Sequence, residues 1–223
     1  MIKAVIFDMD GTTVDTVNSI AYFANDALKH FGLSEVPVEK FFTFVGNGPK
    51  NLIECLIDYS KGDKKNLNEI LEYYLKNYNN NSLYLSKPYD GIVELLEALK
   101  NKNIKTAIVS NKQDEAVGLI SDTLFGDSID LSTGTKENVK RKPAPDSLLN
   151  TMTELGVEKD EVLFVGDTDV DMITAKNAGV ISVGVLWGFR DEDELRSNGA
   201  DYIVSNPKEI LDLVEKIIIQ EEI

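Results

Sequence analysis

The chain has 223 residues, 43% hydrophobic and 27% charged, an ordinary globular composition with room for one large or two modest domains. Its formal net charge of −15 argues against a nucleic-acid or anionic-membrane partner, because both are bound through basic surface. A small phosphorylated ligand stays open, since screening over ~8 Å lets one local lysine or cation outweigh distant charge. The single cysteine, Cys55, rules out an intrachain disulfide and, among Leu52, Ile53 and Leu56, reads as a small core hydrophobe. No apolar run approaches the ~20 residues of a membrane span. The first residues lack a basic-then-apolar signal stretch, so a cytoplasmic location is expected.

The first predicted element is Ala4-Val5-Ile6-Phe7, an apolar run that suits a strand buried on both faces and stops abruptly at Asp8-Met9-Asp10-Gly11. Two acids at a strand end are costly to hold together unless a cation lies between them. The run therefore suggests a metal-assisted site at the carboxyl edge of a parallel sheet. Taken alone, the same residues also read as a solvated acidic turn. Helical periodicity follows. Ile20, Phe23, Ala24, Ala27, Leu28 and Phe31 share one face, closed by Gly32. Leu52, Ile53 and Leu56 mark a helix opened by Pro49. Leu67, Ile70, Leu71, Tyr74, Leu75 and Tyr78 repeat the pattern, before a polar loop tract from Asn77 to Ser82.

From Pro88 onward helices and strands alternate. A helix stripe of Ile92, Leu95, Leu96 and Leu99 precedes a strand at 106–109 that ends in Ser110-Asn111. Further strands fall at 162–165, 181–185 and 202–204, and Ile210, Leu211, Val214, Ile217 and Ile218 give the last helix. This alternation implies an α/β, doubly wound parallel sheet of right-handed crossover units. The first strand belongs to that sheet by pattern. The reading is a core of residues 1–15 and 86–223, with residues 16–85 inserted as an all-helical domain that can close over the sheet edge.

The strand ends carry the chemistry. Asp8 and Asp10 end the first strand, Ser110 and Asn111 the next, and Gly166-Asp167-Thr168-Asp169-Val170-Asp171 a later one, with Lys140-Arg141-Lys142-Pro143 between the last two. Parallel strands share a carboxyl edge, so these groups can converge. Carboxylate oxygens suit Mg²⁺, while a hydroxyl, amides and a lysine suit a phosphoryl group. In this order the segments resemble the four motifs of the haloacid dehalogenase superfamily of aspartate-nucleophile phosphotransferases. Asp8-Met9-Asp10-Gly11-Thr12 looks like the first motif, Ser110 the second, Lys142 the third and Gly166-Asp167 through Asp171 the fourth. The helical insert is similar to the family's type 1 cap. Phe44-Val45-Gly46-Asn47-Gly48 and Trp187-Gly188-Phe189-Arg190 resemble the phosphoglycolate phosphatase-like branch.

The resemblance implies a Rossmann-like core and a Mg²⁺-dependent phosphatase working through an aspartyl-phosphate. It makes Asp8 the nucleophile and Asp10 the acid and then the base. It gives Mg²⁺ to Asp8, the backbone carbonyl of Asp10 and Asp167, with Asp171 orienting metal-bound water. Ser110, Asn111 and Lys142 would hold phosphoryl oxygens, and Gly46, Asn47 and Gly48 of the cap would select the substrate. The expected partner is a small phosphorylated metabolite, 2-phosphoglycolate first, with no nucleic acid or membrane and as a monomer or homodimer. The alternatives are a broad phosphatase of sugar phosphates, nucleotides or pyrophosphate, and a phosphomutase of the same superfamily. A dehalogenase is disfavoured because that chemistry lacks the second acid, here Asp10. A phosphorylation-controlled receiver module would carry its acid pair on an earlier strand than its nucleophile, and no inserted helical domain. Asp169 reads as a helix-start acid, Arg141 as a solvated neighbour of Lys142, His30 as a surface residue at a helix end, and Trp187 as loop packing.

Overall fold

The computed structural model describes residues 1–221, with side chains through Ile217; the side chain of Ile218 lies outside the described residues. The chain opens with β1 (Ala4–Phe7) and the two-residue β2 (Val14–Asp15). Four helices follow: α1 (Val17–His30), α2 (Val38–Phe44), α3 (Pro49–Tyr59) and α4 (Leu67–Asn79). The chain returns through β3 (Lys87–Pro88), antiparallel to β2, so the two crossings to the helical block run side by side. Then come α5 (Ile92–Asn101), β4 (Lys105–Gln113), α6 (Asp114–Phe125), β5 (Leu131–Thr135) and α7 (Asp146–Leu155). The last elements are β6 (Val162–Gly166), α8 (Asp169–Ala178), β7 (Ile181–Val185), α9 (Glu192–Ser197), β8 (Tyr202–Val204) and α10 (Pro207–Glu221).

The six longer strands make one sheet in the order β5-β4-β1-β6-β7-β8, with every pairing parallel. Side chains of a strand alternate between faces, and here both faces are covered. Val5 and Phe7 join the core formed with α5, α6 and α10, while Ala4 and Ile6 join the one formed with α7 and α8. Burial on both sides is what makes these strands read as unbroken apolar runs. The helical block has its own core, in which Phe23, Ala27 and Leu28 of α1 meet Ile53 and Leu56 of α3 and Ile70 and Tyr74 of α4.

Three details differ from the sequence reading. β4 extends beyond 109 to Gln113, with an irregular register against β5. β5 itself, Leu-Ser-Thr-Gly-Thr at the sheet edge, carries no apolar run that predicts it. Cys55 is half-buried rather than in the core, with its Sγ 3.9 Å from Asn51 Oδ1. No helix among the described residues is long and apolar enough to cross a membrane.

Candidate active site

The register of the sheet assembles the site. β1 lies between β4 and β6, with Phe7 level with Ile108 on one side and Val165 on the other. Asp8 is the next residue of its strand, and Ser110 and Asp167 lie two residues beyond those levels. All three therefore reach the carboxyl edge where the strand order reverses, the usual ligand crevice of open α/β sheets.

Asp8 is 6% exposed. Lys142, from the loop between β5 and α7, puts its Nζ 2.9 Å from Asp8 Oδ1 and 2.7 Å from Asp171 Oδ1. Asp171 Oδ2 accepts hydrogen bonds from the Thr168 amide at 3.1 Å and the Thr168 hydroxyl at 2.7 Å. These residues form the capping box that opens α8, where the helix dipole also favours a carboxylate. Asp167 accepts from the Thr12 hydroxyl at 2.7 Å and from the Phe189 amide at 2.8 Å. The backbone must come close here: Gly11 has φ +88°, and a Cβ on it would lie 2.2 Å from Asp167 Oδ2.

One oxygen from each of Asp8, Asp167 and Asp171 can lie within 4.8 Å of the others. Burial pushes the Asp8 carboxyl up to about 7, with Lys142 opposing the rise and Asp171 adding to it. Burial likewise lifts Asp167 well above the ordinary carboxylate range, helped by Asp171 and Asp8. For Lys142 burial works downward, but Asp171 and Asp8 outweigh it and hold the ammonium above its usual value. Fully ionised, three acids set against one ammonium would carry two negative charges in excess, and without a cation the site resists that state by raising Asp8 and Asp167. Buried Asp8 Oδ1 also has no aligned hydrogen-bond donor, its contact with Lys142 being an ion pair only. Excess negative charge and all-oxygen donors fit a divalent cation. Asp8 and Asp167 fit as its ligands, while Asp171 is already held by Lys142 and Thr168.

Asp10 stands apart from that cluster. Its two oxygens lie 2.7 and 2.8 Å from Lys112 Nζ, and Oδ1 also accepts from the Thr16 hydroxyl at 2.7 Å. Lys112 in turn lies over the Tyr78 ring, 4.7 Å from its centroid. Ser110 is buried, and its Oγ accepts from the Lys112 amide at 3.3 Å, so its own proton remains available to a ligand. Asn111 is engaged elsewhere: Nδ2 donates to the carbonyls of Gly46 and Lys142, both at 3.0 Å. It ties the Gly46 turn of the helical block to the sheet edge. Gly46 and Gly48 line the space above the site, with φ of +125° and +83°. Asn47 is exposed and is not part of that lining.

The space itself is a cavity of about 50 Å³, with Asp8, Asp10, Ser110 and Lys112 on the sheet side and Leu52 and Tyr74 on the helical side. Further contacts hold the helical block down. Asn79 hydrogen-bonds Gln113, and Arg190 donates to the carbonyls of Phe42, Thr43 and Val45. Of the residues read as bystanders, Arg141 is exposed, Asp169 opens α8, exposed His30 ends α1 and stacks on Tyr73 at 4.3 Å, and Trp187 Nε1 donates to Thr12 O. Thr12, Thr168 and Lys112 are site residues that the sequence reading passes over. The spacing of Thr168 to Asp171 is a capping-box signal. Lys112 is two residues after Ser110 on one strand end, the spacing that puts two side chains on one face.

Carboxylates and the ammoniums of Lys142 and Lys112 meet at the reversal point of a parallel sheet, beneath an inserted helical block, and the Asp8, Asp167 and Asp171 cluster could hold an oxygen-liganded cation. The family model described as haloacid dehalogenase-like hydrolase matches residues 5–185, and the chain belongs to that family. It is 34% identical over 219 residues to phosphoglycolate phosphatase of Aquifex aeolicus, covering 98% of this chain and 99% of that one. N-acetylmuramic acid 6-phosphate phosphatase of Pseudomonas aeruginosa is 29% identical, over 97% of this chain and 96% of its own. A crystal structure from Lactobacillus delbrueckii subsp. bulgaricus, itself provisionally assigned as a phosphoglycolate phosphatase, superposes with a TM-score of 0.91. The two are 31% identical, with 95% of this chain and 98% of that one covered. The family and the doubly wound α/β fold expected from the sequence are both found.

Proposed function

We propose that the chain is a Mg²⁺-dependent phosphatase of small phosphorylated metabolites, with 2-phosphoglycolate as the first substrate to test. The observation that carries this reading is Asp8: a buried carboxylate at the end of the central strand, paired with Lys142 at 2.9 Å and facing a small cavity between the sheet edge and the helical block. Likeness to phosphoglycolate phosphatases along the whole chain supports it.

In this reading Asp8 attacks phosphorus and becomes an aspartyl-phosphate, while Asp10 gives its proton to the departing ester oxygen. Asp10, now a carboxylate, then takes a proton from water. The water oxygen displaces Asp8 from phosphorus, releasing inorganic phosphate and restoring both acids. Lys142 lowers the repulsion between the nucleophile and an anionic substrate, and Ser110 donates its free proton to a phosphoryl oxygen. Asp8, Asp167 and the backbone carbonyl of Asp10 would hold a divalent cation, which would supply charge neutralisation at the phosphoryl group.

Residues 16–85 act as the cap. The closed cavity, about 50 Å³, is far below the ~300–1,000 Å³ of ordinary small-molecule sites. The cap therefore opens to admit substrate and leaves room for only a small leaving group on closing. A broader sugar-phosphate phosphatase is the second reading, favoured by the likeness to the N-acetylmuramic acid 6-phosphate enzyme. The test is kcat/KM for phosphoglycolate against sugar phosphates, nucleoside monophosphates and pyrophosphate. Phosphoglycolate should lead; a tenfold advantage for any competitor, ~1.4 kcal/mol of transition-state preference, overturns the substrate and keeps the class.

A further inference from the structure

We infer that Lys112 selects the leaving group: its ammonium takes an anionic group carried one or two carbons from the ester oxygen, and in doing so releases Asp10. The inference rests on the phosphatase reading above and names the residue that would give it substrate preference.

Lys112 has a side chain 7% exposed and is the one basic residue among those lining the cavity. Of the other nearby cations, Lys142 is committed to Asp8 and Asp171, and exposed Arg141 reaches the outer side of the Gly48 turn without lining the cavity. A buried ammonium is unfavourable unless it is paired. In this structure Lys112 is paired with both oxygens of Asp10 and covered by the Tyr78 ring from α4. It thus joins the proposed proton donor on the sheet side to the cap. The cavity beside it is walled on the cap side by Ile20, Leu52, Tyr74, Tyr78 and Asn79, none of them charged, so the ammonium is the one cationic partner that a leaving group finds among the lining residues.

The pairing also restrains Asp10. With Lys112 Nζ at 2.7 and 2.8 Å and the Thr16 hydroxyl at 2.7 Å, the carboxyl cannot turn an oxygen toward a departing ester without breaking an ion pair. A substrate carboxylate offers Lys112 a replacement of the same charge, so exchange keeps the ammonium paired and frees Asp10, which takes a proton from solvent before giving one to the ester oxygen. A neutral leaving group offers no replacement, and freeing Asp10 would strand a buried charge. Selection therefore acts on kcat as well as on KM. A lysine that only positioned Asp10 would affect every substrate alike.

The experiment uses three esters of nearly equal size on the full-length protein with Mg²⁺: 2-phosphoglycolate, ethyl phosphate and O-phosphoethanolamine, whose leaving groups are anionic, neutral and cationic. The wild-type protein should prefer them in that order. In Lys112→Met and Lys112→Gln, kcat/KM for phosphoglycolate should fall by ~100-fold or more. That fall should exceed the loss on ethyl phosphate by at least ~30-fold, and the bias against the cationic ester should shrink. Equal losses on all three esters, or no charge preference in the wild-type protein, would overturn the inference even if neither variant folds, since the second measurement needs no substitution. If the wild-type protein hydrolyses none of these esters nor p-nitrophenyl phosphate, the phosphatase reading fails instead.

Discussion

Asp8 sits where an acid is hardest to keep charged, and the cause is burial before anything else. Its carboxyl is pushed up to about 7 because water is excluded; Lys142 outweighs the neighbouring Asp171 but only partly offsets that burial. Such strain makes sense in a group that must be both ionised and poorly solvated when a phosphoryl group arrives, the condition that favours attack. Asp8→Asn keeps the shape and removes the charge, so the variant should fold with an unchanged or higher melting temperature and lose turnover altogether. Phosphate release from phosphoglycolate above roughly 1% of wild type would count against a covalent route, since one positioned acid–base group is worth ~10²–10⁴ and a lost nucleophile should cost more. Asp10→Asn should lose ~10²–10⁴-fold on an alkyl ester, whose oxygen leaves poorly without a proton. A loss below tenfold would remove Asp10 from that role.

The loop after β7 couples the sheet to the cap. The Phe189 amide bonds Asp167, the Phe189 ring enters the core of the helical block and meets Phe42 edge-on at 5.7 Å, and Arg190 donates to carbonyls at the end of α2. Those last carbonyls have no partner inside the helix, and the dipole there favours a cation. Arg190→Ala should weaken the cap locally by ~1–3 kcal/mol, seen as faster hydrogen exchange at 38–45 with β1 and β6 unchanged. Exchange unaltered at 38–45 would show that Arg190 carries none of the closure. The same elements show what a sequence can reveal. β1 and β6 are legible because central strands of a parallel sheet are buried on both faces and must be apolar throughout. β5 is not, because Leu131 and Ser132 lie half-exposed at the edge and its buried residues are Thr133 and Gly134. Asp8, Asp167, Asp171 and Lys142 were readable from motif order. Lys112 was not, because a lysine at a strand end usually reaches solvent, and only the cap above it, with Tyr78, makes it part of an enclosed site.

For the whole molecule the acid cluster is a stability term that changes with pH and with metal. A carboxyl whose folded pKa lies above its unfolded value favours folding below the unfolded value, and that contribution is lost as pH rises through the folded one. Asp8 rises from 3.8 to about 7, and Asp167 shifts in the same direction. In excess chelator the protein should therefore lose stability between about pH 4 and pH 7. At ~1.4 kcal/mol per pH unit, Asp8 alone corresponds to roughly 4 kcal/mol, or about 10 °C for a chain of this size. Exposed Asp63 and half-buried Glu161, held below their usual range mainly by backbone hydrogen bonds, act in the opposite sense. Mg²⁺ binds the folded site, so it should raise the melting temperature at pH 7.5 and flatten the profile, with ~2.7 kcal/mol gained at a hundred times Kd. Calcium should also stabilise, yet fail to support turnover, because its larger and looser coordination spoils the alignment for attack. Calorimetry from pH 4.5 to 8, with chelator, Mg²⁺ or Ca²⁺, separates these effects. Asp8→Asn is the control: it removes one of the two raised carboxyls, so the slope in chelator should become shallower, with Asp167 carrying what remains. A wild-type profile that rises with pH in chelator, or one that Mg²⁺ leaves unmoved at pH 7.5, would mean that Asp8 and Asp167 do not form a metal site.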